Sequence, residues 1–253
     1  MKRMFTFQYF IKSVLFMLIL LGLSVITYFK QYGAENCTLY AIVEDITMGG
    51  FFFELIYIPA SLFAVLNLGM DIRQNGYYLY SVRSSKAAYI IAKIAVGVLF
   101  AILITETAMN IMLGTGASFL DIIDREFYTG GADIYEDVLK NSTFLYFEMR
   151  IFFISLSAGL FTAMGMFVTA IIPDRYVAVS SSYMASIIFQ KLELILQLPD
   201  RVDVSGIIGG FVRVSTSVIH SVAYIVLLFC SGIVFLTYVF NKIMRRRCYD
   251  EKE

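Results

Sequence analysis

Apolar residues in this chain come in long runs separated by short polar segments. Read in order, they predict six membrane spans, at about 13–29, 49–68, 87–113, 147–172, 177–196 and 218–240. As a helix, each run covers the roughly 30 Å of a hydrocarbon core. Helix is the expected conformation because lipid offers backbone N–H and C=O groups no outside partner. The predicted fold class is therefore all-α, a polytopic membrane protein with six transmembrane helices. The run after the first charged residues, VLFMLILLGLSVITYF, exceeds a typical signal-peptide core and has no A-x-A-like site behind it. It is read as a retained first span.

The polar segments complete the organisation. Residues 1–12 mix Phe5, Phe7, Tyr9, Phe10 and Ile11 with Lys2, Arg3 and Lys12, which suits an amphipathic segment lying at the interface. An ordinary charged flank of the first span fits equally well. Residues 13–240 form the six-span domain, and 241–253 a cytoplasmic basic tail, read first as a stop-transfer flank. The loop 114–146 is long and acidic, broken by Gly130-Gly131, and is expected to form two short amphipathic pieces at the outer surface. The apolar, glycine-containing stretch within 197–217 is too short to cross and reads as a re-entrant or interfacial element.

Charge fixes the expected orientation. The segments before span one, between two and three, between four and five, and after six, together with Lys93 near the start of span three, hold 13 of the 20 basic residues. They hold only five acidic ones: Asp71, Asp174, Asp250, Glu251 and Glu253. The positive-inside rule then places both termini in the cytoplasm. Composition agrees: 59% of residues are hydrophobic and 16% charged, against about a quarter charged in soluble domains. A soluble enzyme, a nucleic-acid binder, a disordered chain and a disulfide scaffold are all disfavoured. The cysteines, Cys37, Cys230 and Cys248, are too far apart for a metal or redox motif. His220 stands alone, so no metal site is expected.

Candidate chemistry is sparse. The chain has no G-x-x-x-x-G-K-[ST] phosphate loop and no H-E-x-x-H. Polar groups inside spans are costly and need a reason. Glu54, Glu106, Asn110, Arg150 and His220 all fall on the outer side and suggest an outer-leaflet polar cluster, with Glu106 pairing Arg150. Such a cluster serves either as an acidic passage for cationic or amphipathic cargo or as a helix-locking anchor. Small residues recur at Ser155, Gly159 and Ala163 on span four, and at Ala178, Ser182 and Ser186 on span five. That spacing allows close helix packing, within the chain or between two chains. Asn141-Ser-Thr is a formal glycosylation sequon on the external side.

The most informative segment is NLGMDIRQNGYYLYSVRSSKAAYIIAK, residues 67–93. By itself it is either a solvated loop obeying the positive-inside rule or a short helix docking on a partner. Asp71, Gly76, Ser85, Lys86 and Lys93 fall where type-2 ABC exporter permeases carry an acidic residue, a glycine, an approximate P-x-S-R and a following lysine. The segment resembles the first cytoplasmic loop of that family. It departs at Arg83, where the family often has proline, and at Tyr77, where it often has threonine. Six spans, inward termini, a short turn between spans four and five and a re-entrant piece before span six resemble it too.

The resemblance implies a coupling helix that sits on a separate ABC-type ATPase subunit. Asp71, Arg73, Gly76, Arg83, Ser85, Lys86 and Lys93 would lie at or near that docking surface, setting partner choice and register. It implies a multi-pass permease subunit of a bacterial cell membrane, paired with a second copy or a related permease. That subunit would export an amphipathic, peptide or lipid-like cargo. The chain itself would have no nucleotide site, cofactor or enzymatic activity; ATP and Mg would bind the partner. Its other partners would be membrane lipids, and nucleic acid would not be one. Two alternatives stay open: a non-transporting sensor or assembly scaffold, and an intramembrane enzyme using Glu54, Glu106 or His220.

Overall fold

The computed structural model describes residues 2–33, 38–47, 54–73, 86–122, 136–197, 199, 207 and 218–250, with backbone only for 2–6, 86–87, 136–137, 140 and 244–250. All regular structure among the described residues is α-helical. The helices are α1 (Lys2–Tyr32), α2 (Leu39–Thr47), α3 (Tyr57–Arg73), α4 (Lys86–Gly116), α5 (Glu136–Asn141), α6 (Thr143–Ile171), α7 (Arg175–Leu196) and α8 (Val218–Asp250).

Four helices are long and apolar enough to cross a membrane: Phe7–Tyr32 within α1, Ala88–Gly116, Thr143–Ile171 and Val218–Ile243 within α8. They correspond to expected spans one, three, four and six. Expected spans two and five fall on shorter or more polar helices. Helix α3 has 17 residues, a rise of about 26 Å. Helix α7 carries Arg175, Lys191 and Glu193. The start of the second run also differs. Residues 54–56 form a turn and the helix begins at Tyr57. Pro59 explains that start, because its missing N–H falls among the first turn's orphan donors. The helix then runs past Leu68 to Arg73. Residues 49–53, 74–85, 123–135 and most of 197–217 lie outside the described residues.

Helix α1 is continuous, so residues 2–12 and the first span belong to one helix. Gly33, at φ 81°, ends it and donates to the Phe29 carbonyl (3.0 Å), as a left-handed glycine does after a helix. Thr38 begins α2 by accepting from Ala41 N–H at 3.2 Å. Ser142 caps α6 by accepting from Leu145 N–H. The sequon's serine therefore has a structural role.

Helix α6 is the centre, with 78% of its apolar stretch buried, whereas α8 is peripheral at 11%. Helices α3, α4, α7 and α8 all pack on α6. Small residues explain how they fit. A Cβ on Gly159 would come 3.1 Å from side chains of Val98 and Ile102 on α4. One on Gly97 of α4 would come 2.8 Å from both Ala64 of α3 and Met166 of α6. One on Gly165 would collide with Ser182 of α7. Ser155, Gly159, Ala163, Ala178, Ser182 and Ser186 are buried within the chain, so these positions serve intramolecular packing. Across the bundle, Tyr57 and Ser157 share a buried hydrogen bond of 3.1 Å. Ring contacts among Tyr9, Phe10, Phe63 and Phe100 join α1 to α3 and α4.

Candidate functional site

The polar contacts between helices concentrate at the end of the bundle where α3 stops. Asp71 sits in the last turn of α3, where the helix dipole disfavours a carboxylate. It needs a cation, and Lys93 of α4 supplies one: Nζ donates to Asp71 Oδ2 at 2.5 Å. Tyr89, one turn before Lys93 and on the same face of α4, donates its hydroxyl to the same oxygen at 2.7 Å. Both charged side chains are less than a quarter exposed.

Arg73, two residues on, reaches the other way. Its Nε donates to the Pro173 carbonyl and its Nη2 to Asp174 Oδ2, the latter at 2.9 Å. Pro173 and Asp174 form the turn between α6 and α7. Asp174 is also the N-cap of α7, accepting through Oδ1 from Tyr176 N–H (2.8 Å) and Val177 N–H (3.4 Å). The Tyr176 amide first, then the Val177 amide and Arg73, hold its carboxyl below the usual carboxylate range. The last turn of α3 thus clasps α4 with one charge and the α6–α7 hairpin with the other.

Of the expected docking residues, the structure brings Asp71, Arg73 and Lys93 to this one end. It engages all three within the chain. Lys86 is the first residue of α4, and its side chain is not described. Gly76, Arg83 and Ser85 lie outside the described residues. Sequence reasoning missed Tyr89 and Asp174. The signal for Tyr89 was its spacing of four from Lys93. For Asp174 it was the Pro-Asp pair ahead of a helical run, a cap signature.

The outer-side candidates spread over the opposite end. Arg150 is buried at 1% exposure, with Nε donating to the Tyr146 hydroxyl at 3.1 Å and the guanidinium 5.6 Å from the Tyr146 ring centroid. Tyr146 stacks on Tyr40 of α2. Among the described residues no ion pair joins Glu106 to Arg150. Asn110 is half-buried one turn beyond Glu106, Glu54 is half-buried in the turn before α3, and His220 is exposed on the first turn of α8. No acid–base constellation forms among them, and no cluster of metal-ligating side chains is present among the described residues. Comparison of the chain with family models, with curated proteins and with solved structures finds no match.

Proposed function

We propose that the chain is the transmembrane permease subunit of an ATP-driven exporter, with α3 and α7 completing six spans and both termini in the cytoplasm. The observation that carries this reading is the pair of clasps at the inner end of α3. The segment 74–85 leaves α3 just after Asp71 and Arg73 and re-enters the bundle just before Tyr89 and Lys93. A force applied to that segment reaches α3 and α4 together through Asp71–Lys93. It reaches the α6–α7 hairpin through Arg73–Asp174. This is how a coupling segment lying on an ATPase would pass a nucleotide-driven movement into the spans.

In this reading the ATPase is a separate subunit that holds ATP and Mg. The permease pairs with a second copy or a related permease in a bacterial cell membrane. The many exposed Leu, Ile and Phe side chains of α1, α7 and α8 suit contact with lipid, a second permease or an amphipathic cargo. The test is charge reversal at Arg83 and Lys86, measured by co-purification of the ATPase and by its stimulated hydrolysis. Loss of either supports docking through 74–86. Unchanged co-purification and unchanged hydrolysis overturn it.

A further inference from the structure

A cleft of about 530 Å³ opens beside the Arg73 clasp, lined among others by Tyr9 of α1, Leu66, Met70 and Arg73 of α3, and Arg175 and Ala178 of α7. Its size falls within the roughly 300–1,000 Å³ typical of ligand sites. Its lining is graded along the bundle axis. Leu66, Met70 and Ala178 lie one to two turns inside the helix ends, whereas Arg73 and Arg175 lie at the ends themselves.

Among the described residues, the charge at the mouth is unbalanced. Asp174 is committed to Arg73 and to the α7 cap. Arg175 is exposed and has no ion-pair partner among the described residues. Lys12, also exposed, has its Nζ 6.0 Å from the ring centre of Tyr9, on the cleft wall. A ligand matching these features has an anionic head beside Arg175, with Lys12 against the Tyr9 wall, and an apolar body along Met70 and Leu66. We propose that this cleft binds one anionic phospholipid of the inner leaflet, its phosphate held by Arg175 with Lys12 at the rim and the start of an acyl chain on Leu66, Met70 and Ala178. Basic pockets between spans on the cytoplasmic side have the chemistry for such head groups. The site rests on the inward topology proposed above and needs no ATPase.

The test titrates the purified full chain in nonionic micelles with phosphatidylglycerol, with phosphatidylcholine, and with inorganic phosphate, reading lipid-bound protein by native mass spectrometry. Two cations at about 1 kcal/mol each predict binding of phosphatidylglycerol about 30-fold tighter than phosphatidylcholine. Arg175→Gln should weaken it about five-fold and the Lys12→Gln double variant about 25-fold. Lys191→Gln, at the far end of α7, should leave it unchanged. Equal binding of the two lipids by the wild-type chain overturns the proposal, and so does an unaffected Arg175→Gln. Competition by millimolar inorganic phosphate that matches phosphatidylglycerol also overturns it, by identifying a free-anion site. Because binding is read in micelles, it does not depend on orientation in the membrane. A failure there counts against the cleft and leaves the exporter reading standing.

Discussion

Neutralising Asp71 is the most direct test of the clasp between α3 and α4. Its carboxylate accepts from Lys93 at 2.5 Å and from Tyr89 at 2.7 Å. The side chains of Lys93 and Asp71 are 22% and 23% exposed, between the two cases for which magnitudes are known. Exposed pairs contribute about 0.2–1 kcal/mol, and breaking a fully buried pair costs about 3–5 kcal/mol. Asp71→Asn keeps the volume and an acceptor but removes the charge, so it should cost about 1–1.5 kcal/mol. Lys93→Met keeps most of the aliphatic stem and should cost about 1.5 kcal/mol, since Asp71 is left at an unfavourable helix end. The double variant removes both charges and should cost less than the sum, giving a coupling energy near 1 kcal/mol. Reversible denaturant unfolding of the purified chain in mixed micelles measures all three. Independent sites add to within about 0.3–0.5 kcal/mol. Strict additivity inside that range would refute the clasp as an energetic unit, and with it the proposed route for a force on 74–85 to reach α3 and α4 together.

Three further outcomes follow from the geometry. Gly165→Ala places a methyl against Ser182 Oγ and 3.1 Å from its backbone nitrogen; thermal unfolding should show a loss of about 1–3 kcal/mol, while Gly22→Ala, with nothing within 4 Å, should be near neutral. Glu106→Gln neutralises a half-buried acid that has no ion pair among the described residues and should leave unfolding in micelles unchanged; a clear loss would show that its charge has a partner. Asp174 has its carboxyl held below 3.8, so its contribution is complete above that pH and is lost as pH falls through the lower folded value. An acid titration of stability should therefore bend downward below about pH 4, and Asp174→Asn, which can still cap α7, should flatten that limb.

Much of the bundle could be read from hydrophobic run length alone. Helices α1, α4, α6 and α8 coincide with runs whose ends are marked by charge, as at Lys86, or by glycine, as at Gly33. The second run was harder because FFFELIY, 51–57, is as apolar as a span. Its helix start was carried by Pro59, a local backbone constraint that a hydrophobic window does not register. The clasps were half legible. Asp71, Arg73 and Lys93 stood out as charges at span ends. Which charge meets which depends on the rotation and depth of separate helices, and one sequence does not encode that in any short spacing. Arg150 shows the same limit. A cation near the outer end of a span called for an anion, and Glu106 was the nearest candidate by depth. No ion pair joins the two among the described residues, and Arg150 lies against a tyrosine one turn back on its own helix.

The length of α4 has a mechanical consequence. Its 31 residues rise about 46 Å, against a hydrocarbon slab of about 30 Å. Even the steepest tilt common for such rods, about 40°, leaves a projection of about 35 Å along the normal. Some of the rod must therefore stand clear of the oil. If its first turns emerge into the cytoplasm, whatever grips Lys86 holds a stiff handle and not a slack tether, and a small sideways nudge there would swing the far end in the opposite sense.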